Sequence, residues 1–387
     1  MKKITVLLNL FASIVAVISA LTFAAASYGK TYYSLGSDKE VLGAGFESEL
    51  RLPLDSCLDG QWIYQGGSAG GLAYRGAFDS NSMMNSLTGS IKAGVNLVIF
   101  GGSVKLSMRN KVTENDSAAA STIELNYQKG SYNFEDRTIK PEIVDLIANN
   151  PTAVRDRCGD GFIHNVKLGS NIYVTAKLHF KERTEYEWYQ TKVKIKVLFW
   201  SKTVTKTKEF YEATKNAVYS IDVHTDGGLT PRLQALTAGG PRYCKTDNVD
   251  ACIDYADELF AYLLNGGDYA NDLNDSHLNN ITYDVESYEK SGHYDLAYAG
   301  SLNISKRYIE LSERLRVYQD FVDNEIENLL AFIAVADDPV DKAQQESRLQ
   351  ERYSQKTALN DSADYCFTLP GTSLCEINME AAIATVN

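Results

Sequence analysis

Histidine is scarce. The 387-residue chain has five, in no HExxH or other closely spaced ligand set, which speaks against a catalytic zinc site. Basic residues are in deficit, with 38 Lys and Arg against 50 Asp and Glu and a formal net charge of −12. Phosphate binding relies on a basic surface, so nucleic acid is not an expected partner. The six cysteines contain no CxxC pair and so do not read as a metal cluster. After residue 26 no apolar run approaches membrane-spanning length. Strands and helices do not alternate regularly, as a parallel doubly wound sheet requires.

What is present describes an exported globular protein. The chain is 44% hydrophobic and 23% charged, enough to bury a core in one large domain or two modest ones. Its 24 tyrosines favour strands and wet, amphipathic surfaces. Lys2-Lys3 precede an apolar run from Ile4 to Ala26 that ends in three alanines. That pattern predicts a secretory signal peptide over 1–26, cleaved before Ser27; the rival is a retained transmembrane anchor. No lipobox cysteine stands beside the site, so a secreted or periplasmic protein is expected. In such a compartment six cysteines predict three disulfides among fifteen possible pairings. Proximity in sequence favours Cys244 with Cys252 and Cys366 with Cys375, which leaves Cys57 with Cys158.

Periodicity supplies the elements. Ile91 to Met108 alternates in two segments that change phase at Gly101-Gly102. Ile123, Leu125 and Tyr127 begin a strand whose phase shifts at Gly130 to Tyr132 and Phe134, as at a bulge. Pro141 opens a short helix closed by Asn149-Asn150-Pro151. Ile172, Val174, Ala176, Leu178 and Phe180 alternate with Tyr173, Thr175, Lys177, His179 and Lys181, which predicts a strand with one buried face. Tyr219, Ile221 and Val223 predict another, ending at Gly227-Gly228. A helix is expected over about 249–264. An amphipathic one over 304–336, roughly 50 Å long, should fold back on a more polar helix reaching about Lys356. The fold class is therefore α+β, with an α+β unit at 27–300 and a C-terminal helical hairpin with a disulfide-closed tail at 301–387.

Three segments invite a chemical reading. Gly66-Gly67-Ser68-Ala69-Gly70 matches GxSxG, the nucleophile elbow of a secreted serine hydrolase, which requires a strand before Ser68 and a helix after it. The plain alternative is a glycine-rich loop. Asp268 to Asn280 is rich in Asn and Asp but lacks the order of a calcium-binding loop, so a solvated turn is expected. His164, His179 and His224 read as ordinary strand residues. Between Lys192 and Lys208, by contrast, every lysine is at an even position, among them Lys192, Lys194 and Lys196. Val193, Ile195, Val197 and Phe199 are odd. As a strand this is a cationic rail backed by an apolar surface, suited to an anionic membrane, with Leu198, Trp200 and Val204 interrupting the rail.

Cys158-Gly159-Asp160-Gly161-Phe162, six further residues, then Gly169-Ser170 resembles the signature of the membrane attack complex/perforin (MACPF) superfamily, which also takes in the cholesterol-dependent cytolysins. The signature reads aromatic, Gly, Thr or Ser, His, aromatic, about six residues, then a glycine pair. Gly159, Phe162 and Gly169 match it; Cys158, Asp160, Gly161 and Ser170 depart from it. The preceding short helix, the following strand, the later strand ending in Gly227-Gly228, and Cys244…Cys252 leading into a helix add to the likeness, which spans about residues 85–265 and suggests a divergent bacterial-type member. The resemblance implies a bent antiparallel sheet of about four strands. It implies two flanking helical clusters, near Arg109–Ser121 and Glu182–Asn216, that become membrane-spanning hairpins in pore-forming members. Residues 182–208, however, read as strand already. It further implies a lipid or cell-surface receptor as partner, a homo-oligomeric ring, toxin-like pore formation or non-lytic adhesion, and neither cofactor nor catalytic residue. A direct expectation is that Asn171–Lys181 and Ala217–Asp226 are neighbouring strands of one sheet.

Overall fold

The alternation around Val174 becomes the central strand of the protein in a computed structural model, which describes residues 30–34, 40–48, 51–76, 111–192, 212, 214–264, 268–297, 305–368 and 371–386. The strands are β1 Lys30–Tyr33, β2 Ala44–Glu47, β3 Leu52–Ser56, β4 Leu58–Gly76, β5 Ala118–Ile139, β6 Gly161–His179, β7 Val218–Asp226, β8 Arg242–Lys245 and β9 Asn279–Ser287. They form one nine-stranded sheet in which every strand pair is antiparallel, where about four strands are expected from the sequence. The helices are α1 Pro141–Asn149, α2 Thr152–Cys158, α3 Arg183–Lys192, α4 Pro231–Thr237, α5 Asp250–Leu263, α6 Asp268–Asp272, α7 Tyr294–Ala297, α8 Lys306–Val335, α9 Pro339–Thr368 and α10 Ser373–Ala384. The signal segment and the alternating stretch from Ile91 to Met108 lie outside the described residues.

β6 organises the sheet. One of its edges pairs with β5 along most of its length, Asn165↔Asn133 to His179↔Ala118. Its other edge is shared: Gly161–Gly169 pair with β9 and Asn171–His179 with β7. The expected neighbours Asn171–Lys181 and Ala217–Asp226 therefore meet. The predicted phase change at Gly130 is a register shift between Gln128 and Gly130 against β6. β4 continues the series beyond β5, and a glycine-rich stretch that reads as loop is strand.

Three apolar clusters hold the chain together. Ile172, Val174, Ala176 and Leu178 of β6, with Ile123, Tyr219 and Ile221, pack on Ile253, Ala256, Leu259 and Phe260 of α5. α5 presents them because its apolar residues recur at three- and four-residue steps. Phe46, Phe134, Phe162, Val166, Tyr283 and Tyr288 form the second cluster beside the Cys57–Cys158 disulfide. The third joins α8, α9 and α10, with Leu315, Val322, Ile326, Leu359 and Met379 at its centre and Leu52 of β3 against it. The polar helix expected to end near Lys356 runs to Thr368, and the Cys366–Cys375 bond ties it to α10. Cys244–Cys252 joins β8 to α5. All three predicted pairs are thus bonded.

One expectation fails. Tyr173, Thr175, Lys177 and His179, the polar side of β6, are as buried as the apolar side. α8 lies across them. Lys177 donates to Glu327 at 2.7 Å, and Asn328 Nδ2 donates to the Phe180 carbonyl at 3.0 Å. Alternation identifies two faces of a strand, and a face of Lys, Thr and His looks solvated only until a polar helix covers it.

Candidate functional site

The residues of the signature build a joint. Cys158 ends α2. Gly159 follows at φ 73°, the left-handed region that favours glycine, and a Cβ there would enter the Phe46 carbonyl of β2. Asp160 accepts from the Ser48 N–H at 2.9 Å and faces Arg155 at 3.6 Å; Arg155 in turn holds the buried Glu47 through Nε at 2.6 Å and Nη2 at 2.8 Å. Gly161 starts β6 against the Glu286 carbonyl of β9. Phe162 is fully buried, stacked on Tyr288 at 5.6 Å with the Arg137 guanidinium 5.1 Å from its ring centre.

Gly169 sits where β6 exchanges β9 for β7. It meets Gly227-Gly228, the separately singled-out end of β7. A Cβ on Gly227 would lie 2.7 Å from the Gly169 carbonyl oxygen, and one on Gly228 would strike Tyr269 and Ser170. Both have positive φ, 70° and 76°. Ser170 and Tyr269 hydroxyls are 3.0 Å apart, and Tyr269 also donates to the Gly228 carbonyl at 3.1 Å. Three glycines from two distant stretches thus let two strand pairs and one tyrosine converge. This is close backbone packing.

At the opposite end of the sheet the registers Gly76↔Ser121, Ala118↔His179 and His179↔Val218 align the strand ends. The connections 77–117 and 180–217 consequently leave from the same end, one joining β4 to β5 and the other β6 to β7. They border a cleft of about 1070 Å³ against α8 and α9, walled by Glu114, Asp116, Arg183 and Tyr186 and by Phe321 and Phe332.

The two segments expected to be helical clusters divide differently. Of Arg109–Ser121, Lys111 and Val112 make a helical turn, while Ala118–Ser121 already belong to β5. Of Glu182–Asn216, Arg183–Lys192 is helix, which corrects the reading of 182–208 as strand from its start. Tyr186 and Tyr189, three residues apart, both pack on Phe180 at 5.8 and 5.2 Å, and Arg183 pairs with Glu187 one turn on at 2.9 Å. Helical spacing of these contacts overrides the alternation, which begins only at Lys192. Lys192 is the last residue of the helix; Val193, Lys194, Ile195, Lys196, Val197, Phe199 and Trp200 lie outside the described residues.

Ser68 is in a strand. The pairing skips from Gly66↔Gly130 to Ala69↔Gln128, making Gly67-Ser68 a bulge, and β4 continues to Gly76. A nucleophile elbow needs a sharp turn into a helix at this point, so GxSxG here is not one. The Asp268–Asn280 stretch is also more ordered than a turn. It comprises α6, a 3₁₀ turn at Asp275–His277 and the start of β9, with Asp272 accepting from Tyr262 at 2.9 Å and Asp268 paired to Arg232 at 3.0 Å.

Two features escaped the sequence reading. Among the described residues β4 pairs with β5 alone, and on it Trp62, Ile63 and Tyr64 are exposed. The only signal was local, two aromatics around Ile63 before a glycine run. The other is the polar face under α8, where the histidines differ from ordinary strand residues. His179 is enclosed, its Nε2 2.9 Å from Ser220 Oγ and its Nδ1 3.2 Å from Asn328 Oδ1. Burial, and then nearby Lys177, push its imidazole down to about 3. Burial also lowers His164. Burial opposes the Asp222 charge, but His224 at 2.9 Å, Lys111 and the Val223 N–H outweigh it and hold the carboxyl below its usual range.

No protein-family model and no curated protein matches the sequence. Among solved structures, the chain is similar to stonustoxin, at 12% identity and a TM-score of 0.36 over 92% of this chain and 45% of that one. It is also similar to a putative cell invasion protein with a MAC/Perforin domain from Bacteroides thetaiotaomicron, at 12% identity and a TM-score of 0.20 over 65% of this chain and 58% of that one. The chain thus spans less than two thirds of the length of either structure.

Proposed function

We propose that this is an exported perforin-like protein that binds membranes or cell surfaces and assembles through its sheet edges into a pore. The observation that carries the reading is the shared exit of 77–117 and 180–217 from one end of the antiparallel series β4–β5–β6–β7. Two hairpins grown there would extend four existing strands without changing their register. Each spanning strand needs about 9–11 residues, which 180–217 can supply. The resemblance around Gly159, Phe162 and Gly169 points the same way. Among the described residues no helix is long and apolar enough to cross a membrane, so insertion on this reading is by strands. Among the described residues one edge of β4 has no strand partner, and such an edge could pair with a neighbouring copy.

Dye-loaded liposomes containing phosphatidylserine test the proposal. Release of dye together with a ring-sized oligomer on the liposomes is the expected result. Co-flotation without release identifies a non-lytic adhesin, and the absence of both on anionic and receptor-bearing membranes ends the membrane reading.

A further inference from the structure

The polar contact between α8 and the sheet is built around two ionisable groups that are almost fully buried. Lys177 and His179 are 3% exposed. In register across β5, β6 and β7 stand Ala120, Lys177 and Ser220, then Thr122, Thr175 and Asp222. Thr122 and Thr175 hydroxyls are 3.0 Å apart, and Thr122 donates to the Val112 carbonyl at 2.7 Å. A cavity of about 50 Å³ lies beside these contacts, lined by residues of this face and of α8.

Hydrogen bonds tie the imidazole to both sides of the contact. Asn328 donates its amide N–H to the Phe180 carbonyl, so its Oδ1 accepts from His179 Nδ1–H at 3.2 Å, and Nε2 lies 2.9 Å from the Ser220 hydroxyl. Burial, and then the neighbouring Lys177, favour the neutral imidazole. The groups facing it are Lys177 on β6, Asp222 on β7, Tyr243 on β8 with its ring 6.4 Å away, Lys111, and Glu327 with Asn328 on α8. Behind Asp222 stands His224. Two lysines are matched by two carboxylates. A proton on Nε2 would add a buried positive charge beside Lys177.

We propose that the contact of α8 with β6 and β7 is an acid-released latch, which holds the C-terminal helices on the sheet at neutral pH and lets them go when His179 is protonated. The latch stands apart from the membrane reading. The sign follows from the direction of the shift. A histidine lowered in the closed state stabilises closure above its ordinary value near 6.5, and that stabilisation is lost as pH falls below it. With the closed form at about 3, the open fraction should rise about 25-fold between pH 7 and pH 5.

Amide hydrogen exchange on the full mature chain, corrected for the intrinsic pH dependence, reads this directly. Protection over 322–335 of α8 should fall about 25-fold from pH 7 to pH 5, while protection over 250–263 of α5, on the apolar face, should fall much less. In His179→Asn the difference between the two helices should not respond to pH. In Asn328→Asp, a carboxylate facing Nδ1 should shelter the imidazolium and reduce the acid loss at least several-fold; this variant decides the matter if His179→Asn does not fold. Equal losses from α8 and α5 in the wild type would overturn the latch. So would an unaltered acid response in either folded variant.

Discussion

The two faces of β6 are covered by different chemistry. On one side Ile172, Val174, Ala176 and Leu178 meet the apolar stripe of α5. On the other, Thr175, Lys177 and His179 meet Glu327 and Asn328 of α8. Apolar burial is insensitive to pH and salt within the physiological range, whereas a buried ion pair depends on every member keeping its charge state. One strand thus carries a permanent contact and a conditional one, and burial alone does not tell them apart.

The largest expected effects lie at the joint beneath both faces. Gly159→Val and Gly169→Val each force a side chain into backbone, so recovery of soluble, folded protein should fail for both. Ser68→Ala should leave folding and liposome activity unchanged. Normal expression and melting of either valine variant would reduce the signature to a coincidence of spacing.

Next in size are the coverings themselves. Glu327→Gln removes the carboxylate that accepts from the buried Lys177 and should cost about 3–5 kcal/mol in urea unfolding. Replacing both partners, Lys177→Met with Glu327→Leu, should restore most of that or exceed the wild type. Leu178→Ala on the apolar face should cost about 2–5 kcal/mol, equally at pH 7 and pH 5. If the double replacement is no better than Glu327→Gln, charge matching is not what the polar face needs.

The β8–α5 staple comes next. Replacing Cys244 and Cys252 together by serine should cost about 2–5 kcal/mol, and non-reducing peptide mapping should find these cysteines bonded in natively exported protein. Free thiols at both positions would remove the staple. The smallest stability effect is the titration of His179. Because its closed-state value is depressed, its contribution is complete above about pH 6.5 and falls on acidification, by about 2 kcal/mol at pH 5. The His179→Asn variant should lose that slope.

What the sequence revealed was whatever neighbouring residues determine. The Gly130 phase change, the short helix after Lys140 and the Cys244–Cys252 and Cys366–Cys375 pairs follow from spacing within a few residues and from compartment chemistry; Cys57–Cys158 was left by elimination, and the pairing of Asn171–His179 with Val218–Asp226 was expected only from the family resemblance. The length of β4 was hidden because Gly66-Gly67 and Gly70-Gly71 favour a loop locally, and only pairing with β5 makes them strand. The helix Arg183–Lys192 was hidden by the lysine alternation that begins at its last residue. The polar face of β6 was misread as solvated because its partner, Glu327, lies 150 residues away in sequence. Nothing local distinguishes a lysine that faces water from one that faces a distant carboxylate. The convergence of Gly169 with Gly227-Gly228 was legible only as two separate glycine features.

The membrane proposal is tested most directly in the segment 193–199. All six native cysteines are disulfide-bonded, so single cysteines introduced at each of these positions can carry an environment-sensitive fluorophore. On anionic liposomes the probes at Val193, Ile195, Val197 and Phe199 should shift to the blue and be quenched by lipid-borne quenchers, while those at Lys194 and Lys196 should remain aqueous. That two-residue period is what an inserted strand gives. Spectra that stay aqueous at all positions, with the protein demonstrably bound to the liposomes, would contradict insertion through this segment.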